Sequence, residues 1–299
     1  MNLLYSLLCH GPKLLLYPGA FEQRPRVLLT PSQFGLPYED VVITTSDNVK
    51  IRAYLLVQKN IEKTAEPSNN PLENESEEEF ASTKPTILMF HGNADNIGFV
   101  IPLAEKFFVD MHCNVLMLSP RGYGLSEGRP STKGLKLDSK AALHYIVAHP
   151  ILAKTPIILY GQSMGAAFAI DLGTRNHSQI RGLIVENTFT SLRRLIPDAM
   201  PIFSLLATFF RQWNSLKRIS ETPLSLPILM LSGLRDEIIP ARHMKALWDA
   251  ANPNGLQRQG RLVEFAHGHH NDTWDQPGYW EAVAQFVEEL TSSAVPTIS

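Results

Sequence analysis

A serine flanked by two glycines, Gly161-Gln162-Ser163-Met164-Gly165, stands where an apolar run over 156–160 gives way to a helical pattern through Asp171 and Leu172. Strand, sharp turn and helix are the setting of a nucleophile elbow. A turn this tight brings the two flanking elements together, so a Cβ at either glycine would clash. It lifts the Ser163 hydroxyl clear of a sheet, at the positive end of the following helix. An alcohol is a weak nucleophile until a neighbouring base takes its proton, and a third group must orient that base. The elbow therefore predicts covalent acyl chemistry, with an acid and then a histidine further along the chain.

Downstream of Ser163 the histidines are His177, His243, His267, His269 and His270. His177 lies in a polar loop and His243 at a helix start, and both read as surface residues. The cluster His267-Gly268-His269-His270-Asn271-Asp272 begins where the apolar run 262–265 ends, and sequence position alone leaves His269 and His270 equivalent. The acid should end the preceding strand. The run 228–231 leads into Ser232-Gly233-Leu234-Arg235-Asp236-Glu237, which makes Asp236 the best placed, with Glu237 and Glu186 as rivals. Its task would be to hold the imidazole tautomer and stabilise the imidazolium. His267, His269, His270 and Asp272 also resemble a metal-ligand run, but no other loop offers companion ligands, and neither a metal nor a cofactor is expected.

A tetrahedral intermediate needs two donors for its oxyanion. One is the backbone N–H of Met164. The other is expected from Phe90-His91-Gly92-Asn93-Ala94, where Gly92 allows close backbone approach and Asn93 supplies the N–H. His91 precedes the nucleophile and ends a strand, which suits a structural role. The glycines of Arg121-Gly122-Tyr123-Gly124-Leu125-Ser126-Glu127-Gly128 do not have dinucleotide-fingerprint spacing and read as a tight loop at the mouth of the site.

The elements that must position these residues are legible as an alternation. Runs over 86–90, 114–118, 156–160, 183–185, 228–231 and 262–265 are almost unbroken in apolar residues, as parallel strands covered on both faces are. Helical patterns over 99–110, 131–148, 164–175, 241–251 and 279–290 separate them. A hairpin over 41–45 and 49–57, turning at Ser46-Asp47-Asn48, precedes them. The prediction is an α/β domain over 36–292, with a mostly parallel central sheet, helices on both faces and the chemistry at the strands' carboxyl ends. The long apolar connection 188–226 predicts a helical cap, with Phe203, Leu206 and Phe210 walling an acyl-like substrate. The glutamate-rich stretch 61–84 predicts a mobile, disordered surface loop.

Composition excludes several functions. With 299 residues, 44% hydrophobic and 19% charged, the chain has ample material for a core. A formal charge of −2 and the lack of any dense Lys/Arg stripe give no pull toward nucleic acid. Two cysteines, Cys9 and Cys113, make neither a disulfide framework nor a CxxC metal site. The apolar N-terminal segment 1–20 is interrupted at His10-Gly11-Pro12-Lys13, too short and broken for a spanning helix, and reads as docked on the body or resting on a membrane surface.

Taken together, His91-Gly92-Asn93-Ala94 with Asn96, Arg121-Gly122-Tyr123-Gly124, Gly161-Gln162-Ser163-Met164-Gly165, Glu186-Asn187-Thr188-Phe189, Ser232-Gly233 with Asp236, and His270-Asn271-Asp272 resemble the fungal bud-emergence-type serine hydrolases. Their animal counterparts are membrane-anchored α/β-hydrolase-domain proteins. The resemblance runs from about residue 17 to 290 and implies the α/β-hydrolase fold. It places the catalytic histidine immediately before Asn-Asp, hence at His270, and implies a cap after Glu186-Asn187 and an N-terminal membrane anchor. The stretch 61–84 is longer than the family's usual hairpin. Relatives that remove fatty acyl groups from protein cysteines make ester or thioester hydrolysis the expected activity. The expected substrate is an acyl-bearing small molecule, lipid or acylated protein. The alternative reading is a catalytically inactive scaffold in membrane or cell-polarity organisation.

Overall fold

The β-branched residues on either side of Asp47 form the opening hairpin of a computed structural model that describes residues 17, 20, 28–60, 77–93, 96–199, 201, 204, 205, 207 and 212–292. Strands β1 (Glu39–Thr44) and β2 (Lys50–Leu56) run antiparallel, with Asn48 at φ 60° in the turn. β2 pairs antiparallel with β4 (Asn114–Ser119). Every further pairing is parallel: β3 (Thr86–Phe90) lies between β4 and β5 (Ile157–Gln162), followed by β6 (Gly182–Glu186), β7 (Ile228–Gly233) and β8 (Gly260–Phe265). The eight strands take the order β1-β2-β4-β3-β5-β6-β7-β8.

Side chains that alternate along each strand divide the core into two layers. Leu88, Phe90, Leu116 and Leu118 pack against α3 (Thr132–Ala148) and α4 (Met164–Arg175) through Leu135 and Phe168. Ile87, Met89, Val115 and Met117 pack against α2 (Ile101–Glu105) and α8 (Tyr279–Ser292) through Ile101 and Phe286. Strands β3 to β7 are buried at every position, as their unbroken apolar runs require. β8 differs from the expectation of a strand covered on both faces. It is the sheet's edge, with a neighbour on one side only, and most of its residues are half-buried while Glu264 is exposed.

The acidic stretch is also more ordered than expected at its end. Glu77–Ser82 form a short helix, α1, with Ala81 buried. Asn114 Nδ2 donates to the carbonyls of Ala81 and Lys84 at 2.9 and 3.2 Å, so a buried amide at the start of β4 holds this segment against the sheet. Residues 61–76 lie outside the described residues. So do residues 1–16 of the N-terminal segment. Tyr17 is buried, and its hydroxyl accepts from Trp213 Nε1 at 3.1 Å. Among the described residues no helix is long and apolar enough to cross a membrane.

Between β6 and β7 the connection contains α5 (Leu192–Ala199) and α6 (Ser215–Ser220), and α7 (Arg242–Ala251) follows β7. Arg258 fastens the end of this connection. Its buried guanidinium donates to the carbonyls of Leu226 and Ala251 at 2.9 and 2.5 Å, and that burial lowers its pKa to about 10.

Candidate active site

The turn between β5 and α4 holds Ser163 at φ 54° and ψ −119°, a conformation that L-residues rarely adopt and that persists only when its surroundings over-determine it. The surroundings do so. Ser163 N–H donates to the Glu186 carbonyl at 2.9 Å, and the Ser163 carbonyl accepts from Thr188 Oγ1 at 2.7 Å. The flanking glycines are demanded by space. A Cβ on Gly161 would lie 2.5 Å from the Gly165 carbonyl oxygen, and one on Gly165 would lie 2.2 Å from that of Phe90.

That second approach brings the start of α4 directly against the end of β3. The loop Phe90-His91-Gly92-Asn93 is thereby placed beside Met164, the first residue of α4. Tyr123 donates from its hydroxyl to Asn93 Oδ1 at 2.6 Å, and the His91 ring stands edge-on to Tyr123 with its Nδ1 2.8 Å from the Gly92 carbonyl. The loop carrying Tyr123 is itself anchored by buried Arg121, which binds Asp138 and Asp47. Asn93 and Met164, the expected oxyanion donors, therefore stand on adjoining segments held by side-chain contacts.

His270 reaches Ser163 from the loop after β8. Its Nε2 is 3.1 Å from Ser163 Oγ and its Nδ1 is 2.7 Å from Asp236 Oδ2. The other carboxylate oxygen, Asp236 Oδ1, accepts from the backbone N–H of Ile238 and Ile239 at 2.9 and 2.7 Å. Fixed in this way, Asp236 takes the proton-bearing Nδ1 of His270 and leaves the Nε2 lone pair facing the serine hydroxyl. All three side chains are buried or nearly so. Such an arrangement can draw the Ser163 proton onto a ring whose positive charge is met by a carboxylate.

The rivals pair with each other, away from the serine. His269 is exposed, with Nδ1 3.2 Å from Glu237 Oε2. His267 is exposed too. Glu186 is fully buried at the end of β6 and accepts from the Tyr160 and Tyr279 hydroxyls, each at 2.6 Å, and from Gln162 Nε2 at 3.4 Å, so its side-chain partners are two phenols and an amide and not the imidazole. Burial pushes its carboxyl above the usual range, while the two tyrosines and the nearby His270 pull the other way. Cys113 is no competing nucleophile: it is buried, and burial pushes its thiol up to about 12.

Sequence reasoning quoted Asn187 within the resemblance but assigned it no role at the site. At φ 42°, it accepts on Oδ1 from Gly233 N–H at 2.8 Å, and its Nδ2 donates to the carbonyls of His269 and His270 and to Thr273 Oγ1 at 3.1, 3.2 and 2.9 Å. One side chain thus ties β6, β7 and the histidine loop together. Its signal was an asparagine just past a buried strand, where left-handed backbone is tolerated. His243 is a correction. It is buried, 4% exposed, at the start of α7 against the segment that follows β6. Thr190 N–H donates to its Nδ1 at 3.2 Å, and its Nε2 lies 2.9 Å from Asp198 Oδ2. His177 is exposed, as expected. Phe203, Leu206 and Phe210, expected as a substrate wall, lie outside the described residues.

Comparison with known proteins agrees with this architecture. The family model described as serine aminopeptidase, S33, matches residues 81–223. The chain is 39% identical over 280 residues to protein bem46 of Schizosaccharomyces pombe, covering 93% of this chain and 86% of that one. It is 32% identical over 285 residues to a Saccharomyces cerevisiae protein named as an uncharacterized membrane protein, covering 95% and 91%. Among solved structures, an alpha-beta hydrolase from Vibrio vulnificus superposes with a TM-score of 0.70 at 18% identity, over 98% of this chain and 94% of that one, a likeness of fold.

Proposed function

The chain belongs to the α/β-hydrolase family of fission-yeast bem46, and on that premise we propose that it is a serine hydrolase that cleaves an acyl ester or thioester through an acyl-serine intermediate. The observation that carries this reading is the unbroken hydrogen-bond path from Ser163 Oγ through His270 to Asp236. Ser163 Oγ attacks the acyl carbonyl as its proton passes to His270 Nε2. The oxyanion is received by the N–H groups of Met164 and Asn93, and the alcohol or thiol leaves with the proton from His270. Water, deprotonated by the same nitrogen, then releases the acid and regenerates the serine. No cofactor enters either step.

The substrate is an acyl-bearing small molecule, a lipid or an acylated protein, with the acyl chain taken up beside Phe203, Leu206 and Phe210 in the cap. Work at a membrane surface is part of the proposal, supported by the naming of the budding-yeast relative as a membrane protein. A fluorophosphonate probe tests the nucleophile: it should label the wild-type chain and leave Ser163→Ala unlabelled, and equal labelling of both would refute the assignment. Turnover of p-nitrophenyl esters and acyl thioesters of graded chain length should accompany the labelling. Turnover confined to aminoacyl anilides would replace the ester by a peptide bond.

A further inference from the structure

The correction at His243 leads to a second concavity. A cavity of about 770 Å3 opens between α5, α7 and the start of α6, and Arg193, Arg194, Asp198, Arg242 and His243 carry its charge and polarity. Asp198 is already engaged: Oδ1 is 2.6 Å from Arg242 Nη2 and Oδ2 is 2.9 Å from His243 Nε2. Arg193 and Arg194 are exposed, and neither guanidinium has a hydrogen-bond or ion-pair partner among the described residues. Three guanidinium groups therefore face one carboxylate, in a chain whose formal charge is −2.

The positions of these arginines are informative. Arg193 and Arg194 lie in the first turn of α5, and Arg242 is the first residue of α7. Cations in a first turn oppose the helix dipole, so they contribute nothing favourable to the helices that carry them. What they create is a concentrated positive potential, with the N-terminal ends of two helices adding to three side-chain charges. Arginine, unlike lysine, offers a planar fork that matches a phosphate with two parallel hydrogen bonds. The cavity's volume suits a small organic molecule, and Pro197, Leu216 and Ala246 give it an apolar wall beside the charges.

We propose that this cavity binds a phosphate-bearing ligand, with Arg193 and Arg194 gripping the phosphate and Arg242, held by Asp198, supplying fixed positive charge. The site is distinct from the serine but joined to it. Thr188, which donates to the Ser163 carbonyl, also donates from its N–H to Met244 Sδ at 3.2 Å, and two residues further on Thr190 contacts His243. One segment therefore forms the wall of the cavity and holds the backbone of the serine.

Binding can be read without turnover, so the outcome is independent of the role given to Ser163. At constant ionic strength, inorganic phosphate and glycerol 3-phosphate would be titrated calorimetrically into the full chain. Sedimentation with phosphatidylcholine vesicles, with and without phosphatidic acid, would separate a soluble phosphate ester from a lipid headgroup. At least one phosphate-bearing probe should bind saturably. Affinity should fall by about tenfold or more per guanidinium removed in Arg193→Ala and in the Arg193→Ala/Arg194→Ala pair, and stay at the wild-type value in Lys133→Ala. The pair should keep the wild-type melting temperature, since both side chains are exposed and unpartnered. Absence of saturable binding by every probe up to about 10 mM, or equal binding by the wild type and the pair, would overturn the proposal.

Discussion

His270 Nδ1 lies 2.7 Å from Asp236 Oδ2, while their immediate chain neighbours, His269 and Glu237, pair at 3.2 Å on the exposed side of the same two loops, where Glu237 Oε2 also accepts from the His270 backbone N–H at 3.4 Å. Of these four side chains, His270 is the one hydrogen-bonded to Ser163. The inner carboxylate is further fixed by two backbone donors, whereas Glu237 and His269 are open to solvent.

This doubling predicts a sharp asymmetry between chemically equivalent substitutions. His270→Ala and Asp236→Asn should each lower kcat for a p-nitrophenyl ester by roughly 10³- to 10⁴-fold or more. His269→Ala and Glu237→Gln should change it by no more than about threefold, because a solvent-exposed polar contact contributes little and glutamine keeps an oxygen for the His270 N–H. Comparable losses from both pairs would mean that the base has been misassigned.

The elbow glycines predict a steric effect separable from a conformational one. An alanine Cβ at Gly165 would meet the Phe90 carbonyl at 2.2 Å, backbone against backbone, with no flexible side chain to yield. Gly165→Ala should therefore cost about 3 kcal/mol or more in urea unfolding, at the upper end of overpacking penalties. Gly255, at φ +74° with nothing within 4 Å, is limited only by its backbone, and Gly255→Ala should cost about 1 kcal/mol. Equal effects would contradict the close approach of α4 to β3.

Glu186 predicts a pH dependence of stability. Its carboxyl is raised above the ordinary value of 4.5, chiefly by burial. Well below that value both folded and unfolded states hold the proton. As pH rises, the unfolded chain ionises first, so this residue lowers stability progressively until the folded carboxyl also ionises. Glu186→Gln keeps an acceptor for Tyr160 and Tyr279 but cannot ionise. Its unfolding free energy relative to wild type should therefore become larger, a relative gain in stability, as pH is raised above about 4.5. A difference that is constant with pH would indicate that the carboxyl is not perturbed.

Local signals were the most legible. The elbow was read from five consecutive residues, because a strand, a tight glycine turn and a helix leave a continuous imprint on the chain. The parallel strands were legible because burial on both faces removes polar residues from the whole run. β8 shows the limit: the short run 262–265 reads with the central strands although Glu264 interrupts it and Arg261 precedes it, and the order of strands in the sheet makes it an edge. The helix at Glu77–Ser82 escaped notice because what holds it is Asn114, more than thirty residues away in the chain.

The sequence by itself located the parallel strands and the helices between them, and it identified a serine in a glycine-flanked turn, a carboxylate at a strand's end and a histidine cluster as the groups able to react together. The resemblance singled out His270 over His269, but only the tertiary structure decided what each packs against, that Asn187 ties three strand-end loops together, and that His243 is buried. The reason is physical. Periodicity and turn chemistry act between residues a few positions apart, whereas the direction of one side chain within a loop depends on what packs against it from distant parts of the chain.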